Sequence, residues 1–365
     1  MNAKDQNPHV PGSRNFLINA AAFVVVVAGM SAAKSLVIPF LLAAFLAVIF
    51  SPSMFLFRKL GVRPVVSVLF IVVLIIVIEI AVATLIGTSL AEFTRSLPSY
   101  QKRLHEMTVG LLDWLENKGI HITHDVIMEH INPGRIMAMV ANMLTGLTGL
   151  VTNSFIIIIT FVFIMLETAG FLTKMKAIMG VRNTADDQFG EISQGVNRYL
   201  AIKTLTSLAT GISVGLLLGV IGVSYPILWG LVAFLLNYVP TIGSIIAAVP
   251  AVMLALVQLG WGAALATVTG YLVINISISN IIEPRVMGTR VGLSPLVIFA
   301  SMAFWGWVLG PVGMLLSVPL TMTFKIALAG NENTQWVAIV LGTDRDAEAA
   351  LAGGENLPDE NGPAA

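Results

Sequence analysis

Apolar residues in this chain come in long unbroken blocks, not in the alternating or one-in-three-or-four patterns of a soluble domain. No Asp, Glu, Lys, Arg or His lies between Lys203 and Glu283, between Gly292 and Phe324, or between Ile136 and Leu166. A bilayer crossing needs roughly 20 apolar residues, and a charge at the bilayer centre costs about 2.5–3.5 kcal/mol on insertion scales. Each run therefore holds at least one crossing, and the first holds several. The blocks predict helices over about 16–33, 36–57, 64–90, 148–171 and 200–222. A pair broken at "NYVPTIGS" and "AAVPA" comes next, then "WGAALATVTGYLVINISISNII".

Two places do not read as plain spans. Residues 226–239 are too few for an untilted crossing, so a re-entrant hairpin or broken helix is expected there as readily as two full spans. In "FWGWVLGPVGMLLSVPL", Gly310 and Pro311 separate two short apolar segments. Irregular backbone at membrane depth is tolerated only where it is buried in protein or lines a cavity. Pro240, Gly243, Gly310 and Pro311 are accordingly the expected hinges or helix breaks. The expected fold is all-α: a polytopic integral membrane helical bundle of about 8 membrane segments, with re-entrant pieces among them and an external amphipathic helical segment.

The pattern divides the chain into seven regions. Residues 1–14 are polar and expected to be disordered, and 15–91 carry transmembrane helices one to three. Residues 92–147 form the external segment, 148–171 the fourth transmembrane helix, and 172–199 a cytoplasmic linker. A C-terminal bundle with broken or re-entrant helices takes 200–329, and 330–365 hold an interfacial piece and a disordered acidic tail. In the external segment, Phe93, Leu97, Tyr100, Leu104, Met107 and Leu111 step by 4, 3, 4, 3, 4, the alternation of a heptad seam. Ser96 as cap and Pro98 in a first turn predict a separate helix beginning there. Its partner is a second copy, the membrane surface or its own protomer.

Composition agrees with this picture. The chain is 56% hydrophobic and 11% charged, against about 25% charged in soluble domains. The balance of 20 basic and 20 acidic residues argues against a nucleic-acid partner held by counterion release. With no cysteine, disulfides, thiol catalysis and thiolate metal sites are excluded. "FLINAAAFVVVVAGMSAA" lacks a convincing cleavage site and runs almost directly into the next apolar block, so it reads as a transmembrane helix and not a signal peptide. The loop "FRKLGVRP" has Arg58, Lys59 and Arg63 and no acid. The positive-inside rule places it, and both termini, in the cytoplasm.

Few residues offer chemistry. Glu79 falls near the middle of the third span, where a carboxylate is by default a functional candidate, here for ion coupling. Four histidines, His105, His121, His124 and His130, share the external segment with Asp125 and Glu129, but without a good ligand spacing, so no metal and no cofactor is expected. Asn237, Tyr238, Thr241, Asn275, Ser279 and Asn280 are candidates for a substrate pathway, with Ser244 and Ser277 among the same uncharged polar set. The stretch "SNIIEPRVMGTR" places Glu283, Pro284 and Arg285 at a membrane edge. Pro284 disfavours helix at Glu283 and predicts that the preceding helix ends there. Glu283 is expected to pair with Arg285, or with a basic residue such as Lys203 across the bundle, as a gate or latch. Gly211, Gly215 and Gly219 make overlapping small-xxx-small steps that predict close helix packing.

Three linked stretches, "NYVPTIGSIIAAVPA", "NIIEPRVMGTRVGLSPLVIF" and "WGWVLGPVGMLLSVPLT", resemble in order and spacing the autoinducer-2 exporter family, the PerM-type permeases. "NRYLAIKTLTSLATG", "IPFLLAAFLAVIFSP" and "LPSYQKRL" are similar too, so the likeness covers about residues 16–342. Glu283, Pro284, Arg285, Gly288, Asn237, Pro240, Gly243, Gly310 and Pro311 fall on its motifs; Glu79 does not. The resemblance implies a bacterial inner-membrane permease without ATP-binding domains, and a homo-oligomer, a pentamer being one form. It implies a small hydrophilic signal, autoinducer-2, as the exported solute in quorum sensing, with sodium(lithium)–proton antiport as the alternative; the external heptad helix by itself also allows a non-transporting membrane scaffold.

Overall fold

The computed structural model describes residues 13–119, 138–143, 145–146, 154–179, 183–240, 242–287, 292–329, 334–344 and 348. Among these the regular structure is helical, with no strand. The helices are α1 (Ser13–Ala32), α2 (Lys34–Lys59), α3 (Pro64–Asn117), α4 (Ser154–Met179), α5 (Asn183–Ile221), α6 (Pro226–Leu236), α7 (Ile242–Leu259) and α8 (Trp261–Asn275). A π-helical turn, Ile276–Ile282, leads into α9 (Glu283–Met287). Then come α10 (Pro295–Leu309), α11 (Pro311–Ala329) and α12 (Gln335–Val340).

Six helical stretches among the described residues are long and apolar enough to cross a membrane: Lys34–Lys59, Pro64–Trp114, Gly195–Ile221, Ile242–Leu259, Trp261–Met287 and Pro311–Ala329. Shorter apolar helices include Ser154–Glu167, Pro226–Leu236 and Pro295–Leu309. The chain is a multi-pass membrane protein. Its surface fits that medium, because Val25, Phe40, Phe70, Leu216 and Trp307 are all exposed.

Several sequence expectations are corrected. The third span and the external helix are one element: α3 runs unbroken through Ser96 and Pro98 for about 80 Å at 1.5 Å per residue. Pro98 lies on an exposed face, so the carbonyl it leaves without a donor is not buried. Continuous packing of the opposite face holds the helix together. That face settles the partner of the upper seam, since Phe93 and Leu104 are buried, and Leu97 and Tyr100 packed, against Leu228, Trp229, Leu254 and Val257 of the same protomer. The expected linker is helical wherever it is described, with α4 reaching Met179 and α5 beginning at Asn183. Pro250 does not break α7 but sits inside it. The residues preceding α4, from 147 through 153, lie outside the described set.

Two hairpins dominate the C-terminal half. The first is α6, a turn and α7. Its ends meet where the Ser224 backbone N–H donates to Gln258 Oε1 (2.9 Å), so the chain leaves on the side where it entered. Helix α6 is only 11 residues long, about 16 Å, against roughly 30 Å of hydrocarbon. It packs closely on α5: a Cβ on Gly211 would meet the Gly230 carbonyl oxygen at 2.7 Å, and one on Gly230 would meet the Gly211 oxygen at 2.6 Å. Such contacts let helices associate in lipid, where no hydrophobic drive separates helix from solvent. The second hairpin, α10 and α11, turns at Gly310, whose φ of +69° is one that L side chains rarely adopt. Pro311 comes next as the first residue of α11.

Candidate functional site

The polar centre begins with one face of α5. Lys203, Thr206, Ser207 and Thr210 recur at helical spacing and are all buried. Thr206 and Thr210 donate back to the carbonyls of Lys203 (3.1 Å) and Thr206 (2.9 Å), which satisfies their hydroxyl hydrogens in apolar surroundings. Against this face the fold sets the tip of the first hairpin. Asn237 Nδ2 donates to Ser207 Oγ (3.0 Å), and the Tyr238 hydroxyl donates to Thr204 Oγ1 (2.7 Å). Phe45 of α2 and Phe234 of α6 meet the Tyr238 ring edge-on, each with centroids 5.7 Å away.

The other arm of the tip is tied to α8. Asn275 Nδ2 donates to Ser244 Oγ (2.9 Å), and Ser279 Oγ donates to Asn275 Oδ1 (3.1 Å). The turn itself stays narrow because of Gly243: a Cβ there would collide with the Leu236 carbonyl. Pro240 sits half-buried in that turn, and Thr241 lies outside the described residues. Between α7 and α8 a groove of about 370 Å³ runs along Ala248, Val249, Met253, Val268 and Leu272, with Ser244, Tyr271 and Asn275 as its polar groups.

Below the tip lies a buried ion pair. Lys203 Nζ donates to Glu283 Oε1 (2.8 Å) and Oε2 (3.0 Å), and Thr206 Oγ1 approaches Oε2 at 3.4 Å. The side chains are 6% and 13% exposed, so the pair is largely removed from solvent. Of the two partners the sequence allows for Glu283, the structure selects Lys203, while Arg285 is exposed.

The backbone that delivers Glu283 differs from expectation. Pro284 does not end the helix: Glu283 keeps helical angles, φ −57° and ψ −50°, and its N–H donates to Ile278 O, five residues back. Proline has no N–H for Asn280 O, and its ring clashes with that carbonyl. Widening the preceding turn to i→i+5 bonds accommodates the ring without breaking the helix.

The remaining candidates do not join this centre. Asn280 is exposed. Glu79 is half-exposed on the α3 stripe Ile75, Glu79, Val82, Ile86; Ile75 packs with the α2–α4 core, and Val82 and Ile86 with the C-terminal core. Of the histidine group, His121, His124 and His130 lie outside the described residues, and no metal-ligand cluster occurs among those described. The sequence reading missed Thr204, Thr206, Ser207 and Thr210. Their signal was present in "KTLTSLAT", where Lys203, Thr206, Ser207 and Thr210 fall at i, i+3, i+4 and i+7.

Uncharged hydrogen-bonding groups set between apolar helices, with an ion pair at one end, fit a permease, and such bonds also join helices in lipid. Comparison with known proteins agrees: the chain belongs to the AI-2E family transporters, whose profile matches residues 20–331. It is 40% identical to a candidate transport protein of Haemophilus influenzae over 90% of this chain and 97% of that one. It is 36% identical to the AI-2 transport protein TqsA of Escherichia coli K12, over 89% and 94% of the two chains. The candidate transport protein YhhT of the same strain is 34% identical over 91% and 95%.

Proposed function

We propose that this transporter exports a small, hydrophilic, uncharged or borate-bound signal of the autoinducer-2 class across the bacterial inner membrane, with both termini and the Arg58, Lys59, Arg63 end cytoplasmic. The observation that carries the reading is the α5 ladder and hairpin tip. Thr204, Ser207, Asn237, Tyr238, Ser244, Asn275 and Ser279 are hydroxyls and amides, which match a polyol better than a charged clamp does. Every bond in the ladder is one that a polyol can take over in exchange. Likeness to an AI-2 transport protein supports the substrate class.

In this reading Lys203 and Glu283 are the cytoplasmic latch, and the carrier works as a homo-oligomer in the bilayer. The test is signal efflux from cells lacking their own exporter. Expression should lower intracellular signal and raise it outside. Unchanged intracellular signal sinks the proposal.

A second reading, sodium–proton antiport, is favoured by Glu79, which has no hydrogen-bond or ion-pair partner among the described residues. Everted vesicles distinguish the two. Sodium-dependent proton movement abolished by Glu79→Gln supports antiport; exchange unaffected in both Glu79→Gln and Glu283→Gln removes it.

A further inference from the structure

The π turn before Glu283 is a rare backbone geometry, since it accounts for well under 1% of residues generally and clusters at functional sites. Seven residues, Ile276–Ile282, adopt it, and the next residue carries the carboxylate bonded to Lys203. Its cause is local, because Pro284 removes one donor and crowds the Asn280 carbonyl. Its upper edge is tethered, because Ser279 bonds Asn275 and Asn275 bonds Ser244 of the hairpin tip.

We propose that this π turn is a one-residue register device: Pro284 acts as a positioning residue that aims Glu283 at Lys203, and tightening the turn to α geometry withdraws the carboxylate and opens the latch. Relative to an α-helix the turn accommodates about one extra residue, so tightening it rotates Glu283 and the rest of α9 by about 100°. At a radius of about 6 Å this carries the carboxylate some 9 Å, well beyond the 2.8 Å contact. A hydroxylated solute that takes over the Ser279–Asn275 bond acts directly on the turn, which links occupancy of the polar tip to the state of the ion pair. This last consequence rests on the transport reading above; the register itself does not.

The test uses the absence of cysteine from the chain. A Lys203→Cys, Glu283→Cys variant carries the only two thiols, and with the ion pair gone their cross-linking reports backbone register alone. A disulfide needs Cβ atoms about 3.5–4.5 Å apart, closer than the two long side chains require, so a short homobifunctional thiol reagent is the probe. In the otherwise unaltered chain the pair should cross-link. Adding Pro284→Ala, or Pro284→Leu if the first is not recovered, should lower the yield about fivefold or more as the turn tightens. Deleting Ile281 in that same background removes the extra residue and should restore the yield. A proline that merely stabilised the fold would not be rescued by a deletion. Undiminished cross-linking after loss of Pro284, or no recovery on deletion, overturns the proposal. Efflux measured separately on the wild-type chain shows whether the transport reading stands, whatever the cross-link shows.

Discussion

The two halves of the bundle are held together differently. In the α2–α4 half, Ala43, Ala47, Ile71, Phe161 and Met165 interlock through shape alone. Hydroxyls in this half of α3 bond back to their own helix, Ser67 to Arg63 O and Thr84 to Ile80 O. In the α5–α9 half, side chains reach across: Asn237 to Ser207, Tyr238 to Thr204, Asn275 to Ser244 and Lys203 to Glu283. Lipid supplies no hydrophobic drive between helices, so packing and polar bonds carry assembly. Packing has no alternative partner, whereas a polar bond can be surrendered to a solute. The first half is therefore suited to be a frame and the second to move.

The sharpest way to break that contrast is at the ion pair. Glu283→Ala leaves Lys203 buried without its partner and should cost about 3–5 kcal/mol, read as a lowered unfolding temperature in detergent, together with loss of flux. Normal stability and normal flux would defeat the latch. Replacing both partners, Lys203→Met with Glu283→Leu, should recover most of the stability but not the transport.

Next in size are the glycines. Gly230→Ala drives a methyl into the Gly211 carbonyl and should cost about 1–3 kcal/mol. Gly87→Ala in the other half meets nothing within 4 Å and should be neutral or stabilising by about 0.5–1 kcal/mol, because alanine is the better helix former. Equal effects at the two positions would erase the distinction between the halves.

Smaller still is Tyr238→Phe, which removes one interhelical hydrogen bond worth roughly 0.6–2 kcal/mol. It should weaken transport more than stability, whereas Ser67→Ala, losing only a bond within its own helix, should change neither. The least effect is expected at Trp229, fully buried with no acceptor for its indole N–H among the described residues. Trp229→Phe sheds that unsatisfied donor, a gain of about 1–3 kcal/mol, while the cavity left by the smaller ring costs a comparable amount, so the two should nearly cancel and leave the melting temperature within about 2 °C.

The membrane character of the fold was legible because charge is excluded from the spans by a penalty that acts residue by residue. The breaks at Pro240 and Gly310 were legible for the same local reason, a missing donor and a positive φ. Contacts between distant residues were not. Nothing near Glu283 says that Lys203, eighty positions earlier, stands opposite it, and Arg285 was equally admissible until the bundle was assembled. Proline misled three times. Pro98, Pro250 and Pro284 were each read as a helix break, but at Pro98 the cost falls on an exposed face, Pro250 sits inside a continuous α7, and at Pro284 the helix widens instead of ending. The α5 ladder was legible by spacing and was overlooked because its hydroxyls sit in the body of a strongly apolar span.

Helix α3 has a mechanical consequence. It is a single rod of about 80 Å, clasped by α2 and α4 along its lower length and touching the hairpin above through Phe93, Leu104 and the Tyr100 hydroxyl, which accepts a bond from Gln258 Nε2 (2.8 Å). A tilt of about 5° pivoting at its base moves the far tip by about 7 Å, the leverage that length alone confers. The same tilt moves the Phe93–Leu104 contacts by about 4–5 Å, so any rocking of the hairpin would be enlarged, by less than twofold, at the far end of α3, where a spectroscopic label would report it without touching the polar tip.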